Sequence, residues 1–147
     1  MEFTEPRTRG SILIVDDQKN WRDTIGELLR NEGYQVHTVA SLLEAQECLS
    51  TNVFEVVVLD IRLVDEDRHD VQGLGVLEEI RKKDDKTCVL VLTGYPTAKT
   101  EAKATEIGVE AFFFKSPPEG LDIVQFREVV SGLVKQSHAA RLGREFP

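Results

Sequence analysis

Four short stretches of uninterrupted hydrocarbon, ILIV at 12–15, VVVL at 56–59, VLVL at 89–92 and AFFF at 111–114, constrain this chain more than anything else in it. Continuous apolar runs of this length are how strands covered on both faces read. YQVHTV at 34–39 alternates instead, which suits an edge strand. Between the runs, apolar residues recur at helical spacing: Trp21, Ile25, Leu28 and Leu29; Leu42, Ala45 and Leu49; Leu74, Leu77 and Ile80; Ile123, Phe126, Val130 and Leu133. Gly33 stands where the first helix would stop and Ser41 where the second would be capped. TAKTEAKATEIG at 97–108 is helical in pattern but has few bulky anchors, so this helix should be the loosest. The last helix should begin near Leu121. Strands alternating with helices demand a parallel sheet with right-handed crossovers and helices on both faces, a doubly wound α/β fold.

The chain is 147 residues long, one domain's worth, and a domain of about 150 residues buries roughly 70% of its unfolded surface. The expected organisation is a flexible tail over 1–10, a domain over 11–135, and a tail or the start of a linker over 136–147. A net charge of -8 and a pI near 4.9 argue against a nucleic-acid partner, which would call for a basic face. Cations and basic protein surfaces are better company. No apolar run reaches the length of a membrane span, and MEFTEPRTRG lacks a signal peptide's apolar centre, so the expectation is a cytoplasmic protein without a membrane partner. Cys48 and Cys88 have no metal-ligand spacing and read as reduced, semi-buried fillers; His37, His69 and His138 read as surface histidines.

The polar residues acquire meaning on this frame. In an open α/β sheet the ligand sits beyond the carboxyl ends of the strands, where the strand order reverses. Asp16 and Asp17 follow the first run, Asp60 the third, Thr93 the fourth and Lys115 the fifth. Each alone has an ordinary explanation, since Asp caps helices and Lys is usually solvated. Together they gather three carboxylates that repel one another unless a cation neutralises them. Lys115 is one candidate cation and a bound divalent metal the other. A set of oxygen ligands without His or Cys suits a hard ion, Mg²⁺ or Mn²⁺, held by carboxylates with waters and a phosphate. Asp60 would then be a nucleophile, with Thr93 and Lys115 aimed at the oxygens of an incoming phosphoryl group.

From about Ser11 to Leu133 the chain resembles the receiver domains of bacterial two-component response regulators, through ILIVDDQ, VVVLDIRL, VLVLTGY and AFFFKS in that order. The resemblance implies a flavodoxin-like (βα)5 fold with a parallel five-stranded sheet in the order 2-1-3-4-5. It implies that Asp16 and Asp17 are the acid pair, that Asp60 accepts a phosphoryl group, and that the Arg62 backbone carbonyl is a metal ligand. It further implies that Thr93 is the switch hydroxyl, Lys115 the phosphate partner and Phe112 the switch aromatic, and that Arg62 and Tyr95 tune the loss of phosphate. The implied donor is a sensor histidine kinase or a phosphotransfer protein. The implied output is a downstream effector met through the face of the fourth helix, fifth strand and fifth helix, with a homodimer also open. Such a domain is a phosphoacceptor rather than an enzyme, limited to self-catalysed phosphorylation and dephosphorylation of its own aspartate.

The chain departs from that pattern in two places. RLVDEDRHDVQ lengthens the loop after Asp60 by an acidic insertion over 64–72, and Ser116 separates Lys115 from the proline that in the family follows the lysine directly. An EF-hand-like loop starting at Asp65 would want Gly at its sixth position and Glu at its twelfth, and finds Asp70 and Val76, so the insertion reads as a solvated flap overhanging the site. These departures keep open a degenerate receiver acting as a phosphorylation-independent interaction module. A haloacid-dehalogenase-type phosphatase would want a second Asp two residues after the nucleophile, where Arg62 stands. A flavin binder is disfavoured because Asp16 and Asp17 would repel the flavin phosphate, and no GK[ST] loop exists for a nucleotide.

Overall fold

The computed structural model describes residues 8–61, 72–94, 97–115 and 120–143. Strands and helices alternate along it: β1 (Ser11–Val15), α1 (Lys19–Asn31), β2 (Gln35–Val39), α2 (Leu42–Thr51), β3 (Val56–Leu59), α3 (Gln72–Lys83), β4 (Cys88–Thr93), α4 (Ala98–Ile107), β5 (Ala111–Phe114) and α5 (Ile123–Arg141). The sheet is five-stranded in the order β2-β1-β3-β4-β5, and every neighbouring pair is parallel. This is the flavodoxin-like (βα)5 arrangement, and the order reverses between β1 and β3.

Residue parity sorts the core, because successive side chains of a strand point to opposite faces. Ile12, Ile14, Val56, Val58, Leu90 and Leu92 pack with Ile25 and Leu29 of α1 and Phe126, Val130 and Leu133 of α5. Leu13, Val15, Val57, Leu59, Val89 and Val91 pack with Ala45 of α2, Val76, Leu77 and Ile80 of α3, and Ala104 of α4. Helices therefore cover both faces, which is why the runs ILIV, VVVL and VLVL within β1, β3 and β4 are hydrocarbon at every position. Ala104 is the buried residue of α4, as few anchors led one to expect, but α2 is equally thinly held, with Ala45 alone buried.

Caps fit the helix starts. Ser41 accepts from the Glu44 N–H at 3.2 Å, Thr97 from the Thr100 N–H at 3.1 Å and Asp122 from the Gln125 N–H at 3.0 Å. Gly33 follows α1 at a φ of 97°, a left-handed turn that glycine adopts without a Cβ clash.

Three expectations need correction. AFFF was expected to be covered on both faces, yet all four residues of β5 are half-buried. β5 is the second edge of the sheet, and a run of phenylalanines tells nothing about lateral position; the Phe113 ring still meets Phe126 edge-on at 5.4 Å. The last helix starts at Ile123 rather than Leu121, because Asp122 caps it. That helix also runs on to Arg141, past the expected domain end at 135. Its final turns are held by polar contacts: Arg141 Nη2 lies 2.7 Å from Asp84 Oδ2 and donates to the Phe54 carbonyl at 3.1 Å and Thr87 Oγ1 at 3.0 Å.

Partial burial alone would raise the Asp84 carboxyl, but the Arg141 guanidinium, with the Lys86 N–H and the Thr87 hydroxyl, holds it below its ordinary value of 3.8. A depressed carboxylate contributes stability that is present above its unfolded value and lost as the pH falls through the folded one. Urea unfolding at neutral pH and well below pH 3.8 should therefore show a smaller acid loss in an Arg141→Met chain than in the wild type. Equal losses would mean that the ion pair contributes nothing.

Burial pushes the Cys88 thiol up to about 12, with Glu110 adding to the effect, and raises the Cys48 thiol as well. Both cysteines are free, in keeping with inert fillers. Among the described residues no helix is long and apolar enough to cross a membrane.

Candidate functional site

The site lies at the carboxyl edge of the central strands, where the ladder extends one residue beyond each strand. The Asp16 N–H donates to the Val39 carbonyl at 3.1 Å, the Asp60 N–H to the Val15 carbonyl at 2.9 Å, and the Lys115 N–H to the Thr93 carbonyl at 3.0 Å. These backbone bonds fix the residues that follow β1, β3 and β5 side by side, so the polar ends of separate strands converge by topology. Asp16 and Asp60 are each 3% exposed, Thr93 2% and Lys115 6%. Charged groups so deeply buried are costly unless they meet partners.

They do. Lys115 Nζ sits 2.7 Å from Asp16 Oδ2 and 2.9 Å from Asp60 Oδ2. It also donates a hydrogen bond to Gln18 Oε1 at 2.8 Å, and lies 5.3 Å from the centroid of the Trp21 ring. Asp16 in turn accepts from the Gln18 N–H through Oδ1 at 2.9 Å, and its carbonyl accepts from Arg22 Nη1 at 2.8 Å. The turn from β1 into α1 is thus tied to the acid that closes β1.

Asp16, Asp17 and Asp60 each bring a carboxylate oxygen to within 4.8 Å of the other two. Three carboxylates and one ammonium leave a formal excess of two negative charges, which a single hard divalent cation would neutralise. The all-oxygen donor set fits Mg²⁺ or Mn²⁺ and is unsuited to a soft metal.

Gly73 completes the frame behind Asp60. Its N–H donates to the Ile61 carbonyl at 2.8 Å, and a Cβ at this position would overlap the backbone of Asp60 and Ile61. The start of α3 is therefore pressed directly against the backbone of Asp60 and Ile61.

The structure brings together Asp16, Asp17, Asp60 and Lys115, and places Thr93 at the buried end of β4. Phe112 is half-buried against the core face that includes Ala104 and Ile107 of α4, one β5 residue away from the opposite face. Arg62, Tyr95, Ser116, Pro117 and residues 64–71 of the insertion, with its acids and His69, lie outside the described residues. Sequence reasoning gave Gln18 no role and placed Trp21 among the packing residues of the first helix. Trp21 does pack against the core, but its ring also faces the Lys115 ammonium.

Comparison with known proteins agrees with this geometry. The family model of the response regulator receiver domain matches residues 12–124. A putative NtrX-like response regulator of Rickettsia conorii is 33% identical over 104 residues, covering 71% of this chain and 21% of that protein. The alginate biosynthesis transcriptional regulatory protein AlgB of Pseudomonas aeruginosa is 31% identical over 115 residues, covering 78% of this chain and 24% of that protein. The chain thus spans about a fifth to a quarter of the length of these curated relatives. Among solved structures, the receiver domain of NtrX from Brucella abortus superposes with a TM-score of 0.71 at 27% identity, over 84% of this chain and 98% of that one. A CheY-like receiver domain protein from Methanospirillum hungatei gives a TM-score of 0.77 at 23% identity, over 88% and 97%, and bears on the fold alone. With the strand order, the convergent acids and the match across most of the chain in agreement, this protein belongs to the response regulator receiver domain family.

Proposed function

We propose that the chain is a phosphoacceptor switch of a two-component system, in which Asp60 takes a phosphoryl group from a histidine kinase or phosphotransfer protein with the help of a divalent cation. The observation that carries this reading is the buried Asp60 carboxylate, held 2.9 Å from Lys115 Nζ within a cluster of three acids at the switch point of the sheet. An Asp60 oxygen attacks the phosphorus of the donor phosphohistidine. The O–P bond forms as the N–P bond breaks, and the electron pair stays with the imidazole nitrogen of the donor.

Little covalent chemistry is asked of the protein, so positioning and charge neutralisation dominate. Asp16, Asp17 and Asp60 would hold Mg²⁺ or Mn²⁺, which supplies neutralisation of the phosphoryl oxygens when bound. Lys115 follows the new phosphoryl group as its counter-charge, and the Thr93 hydroxyl donates to one of its oxygens. The phosphoryl group adds one to two negative charges to a site that is already acidic. Thr93 moving toward it vacates space on the α4 side of β5, and Phe112, only half-buried, turns into that space. The α4, β5 and α5 surface then differs between the two states, and a downstream effector or a second copy of the chain reads the difference. The chain acts on itself and is not an enzyme toward other substrates; a cytoplasmic location is part of the same reading. A degenerate, phosphorylation-independent module gains no support from a site whose described positions all carry the required chemistry.

The test is incubation with acetyl phosphate, with Mg²⁺ or with excess EDTA, followed by intact mass measurement. One added phosphoryl group with Mg²⁺ and none with EDTA is the expected result. No addition under either condition would move the chain to the interaction-module class.

A further inference from the structure

Lys115 is held by more than the two acids that its role requires. Three oxygens surround its ammonium: Asp60 Oδ2 and Gln18 Oε1 accept hydrogen bonds at 2.9 and 2.8 Å, and Asp16 Oδ2 forms an ion pair at 2.7 Å. The Trp21 ring lies 5.3 Å from the same nitrogen, within range of a cation–π attraction. The ammonium thus has two hydrogen bonds, an ion pair and an aromatic face around it without a metal or a phosphoryl group.

Gln18 is unusual for its place. It occupies the N-cap of α1, where a side chain commonly accepts from the exposed N–H groups of the first turn, yet it makes no capping bond. Its carboxamide oxygen accepts from Lys115 Nζ instead. Its backbone is fixed for that purpose, because its own N–H donates to Asp16 Oδ1 at 2.9 Å. Trp21, three residues on, stands one helical turn away and presents its ring to the same ammonium.

Deepening the proposed function, and resting on it, we propose that Gln18 and Trp21 are positioning residues that park Lys115 against Asp16 and Asp60 in the metal-free chain. Gln18 thereby sets how readily the ammonium yields to a divalent cation. Two of the three acids of the cluster are the lysine's partners, so the ammonium and the cation compete for the same carboxylate oxygens. Whatever steadies the ammonium there weakens the metal. Gln18 supplies that steadying without adding charge, so its effect falls on the competition and not on the net electrostatics of the site.

The experiment is calorimetric titration of the full chain with Mg²⁺ for the wild type, Gln18→Met, and Gln18→Asn, whose amide is one methylene short of the lysine. Trp21 emission is followed in parallel with Lys115→Met as a control. Both Gln18 variants should bind Mg²⁺ about tenfold more tightly, the scale of one hydrogen bond to a charged group. Mg²⁺ should change Trp21 emission in the wild type, by drawing the ammonium off the ring, and not in Lys115→Met. Unchanged or weaker Mg²⁺ binding in both Gln18 variants overturns the proposal, as does an emission change that survives the loss of Lys115. A wild type that binds Mg²⁺ but takes no phosphoryl group from acetyl phosphate contradicts the proposed function alone, and the Gln18 comparison still decides this inference. A wild type that binds no Mg²⁺ contradicts both.

Discussion

Replacing Lys115 with Met should destabilise the metal-free chain by roughly 3–5 kcal/mol, the usual cost of removing one partner from a buried charge group. The methionine keeps most of the hydrocarbon stem, so the loss isolates the ammonium. What remains is Asp16 and Asp60, each 3% exposed, both of which had faced the same nitrogen. Neither gains a solvent shell to replace it. Mg²⁺ should restore much of the loss, because a cation that binds only the folded chain contributes about 2.7 kcal/mol at a hundred times its dissociation constant. Urea unfolding of both chains with and without Mg²⁺ reads this directly. The stabilisation by Mg²⁺ should be larger in the variant than in the wild type, since the internal competitor is gone. An unfolding free energy unaltered by the substitution would mean that the lysine does not neutralise the acids in solution.

The second large effect is expected at Gly73. An added Cβ would overlap the Asp60 carbonyl and the Ile61 backbone, neither of which can rotate away as a side chain tip would. Gly73→Ala should therefore cost about 3 kcal/mol, toward the upper end for overpacking, although alanine is otherwise the better helix former. Gly75→Ala provides the contrast within the same helix. A Cβ there meets only Leu42 Cδ1 at 3.9 Å, an ordinary contact, so this substitution should stabilise by up to about 1 kcal/mol. Because the obstruction at residue 73 falls on the backbone of Asp60, the proposed acceptor, Gly73→Ala should also slow phosphorylation by acetyl phosphate. Thermal or urea unfolding of the two variants side by side checks the opposite signs; two small effects of the same sign would remove Gly73 from the frame of the site.

The fold was legible because so many levels agreed. ILIV, VVVL and VLVL have hydrocarbon at every position for a reason that the structure makes plain: even-numbered residues face α1 and α5, odd-numbered ones face α2, α3 and α4, and both faces are dry. The polar strand ends were legible for a related reason. Once the strands are parallel, Asp16, Asp60 and Lys115 must meet, whatever their distance in sequence.

What was missed lacked that kind of constraint. An apolar run looks alike in the centre and at the edge of a sheet, so the half-burial of β5 left no mark on AFFF. The end of α5 was placed too early because its last turns contain Lys135, Gln136 and His138, and are held by the Arg141–Asp84 pair rather than by a hydrophobic stripe. Gln18 escaped notice because a single uncharged carboxamide beside the acid pair carries no pattern of its own in the sequence. Only the course of its side chain to Lys115, a residue far along the chain, reveals another role.

The most direct measurement is the site of phosphorylation itself. Wild-type chain and an Asp60→Asn variant would be incubated with Mg²⁺ and acetyl phosphate, and their intact masses recorded alongside a melting curve that shows the variant folded. One phosphoryl group on the wild type and none on a folded Asp60→Asn chain is the expected result. A wild type that stays unmodified while binding Mg²⁺, or a variant that is modified as fully as the wild type, would contradict the assignment of Asp60 as the acceptor.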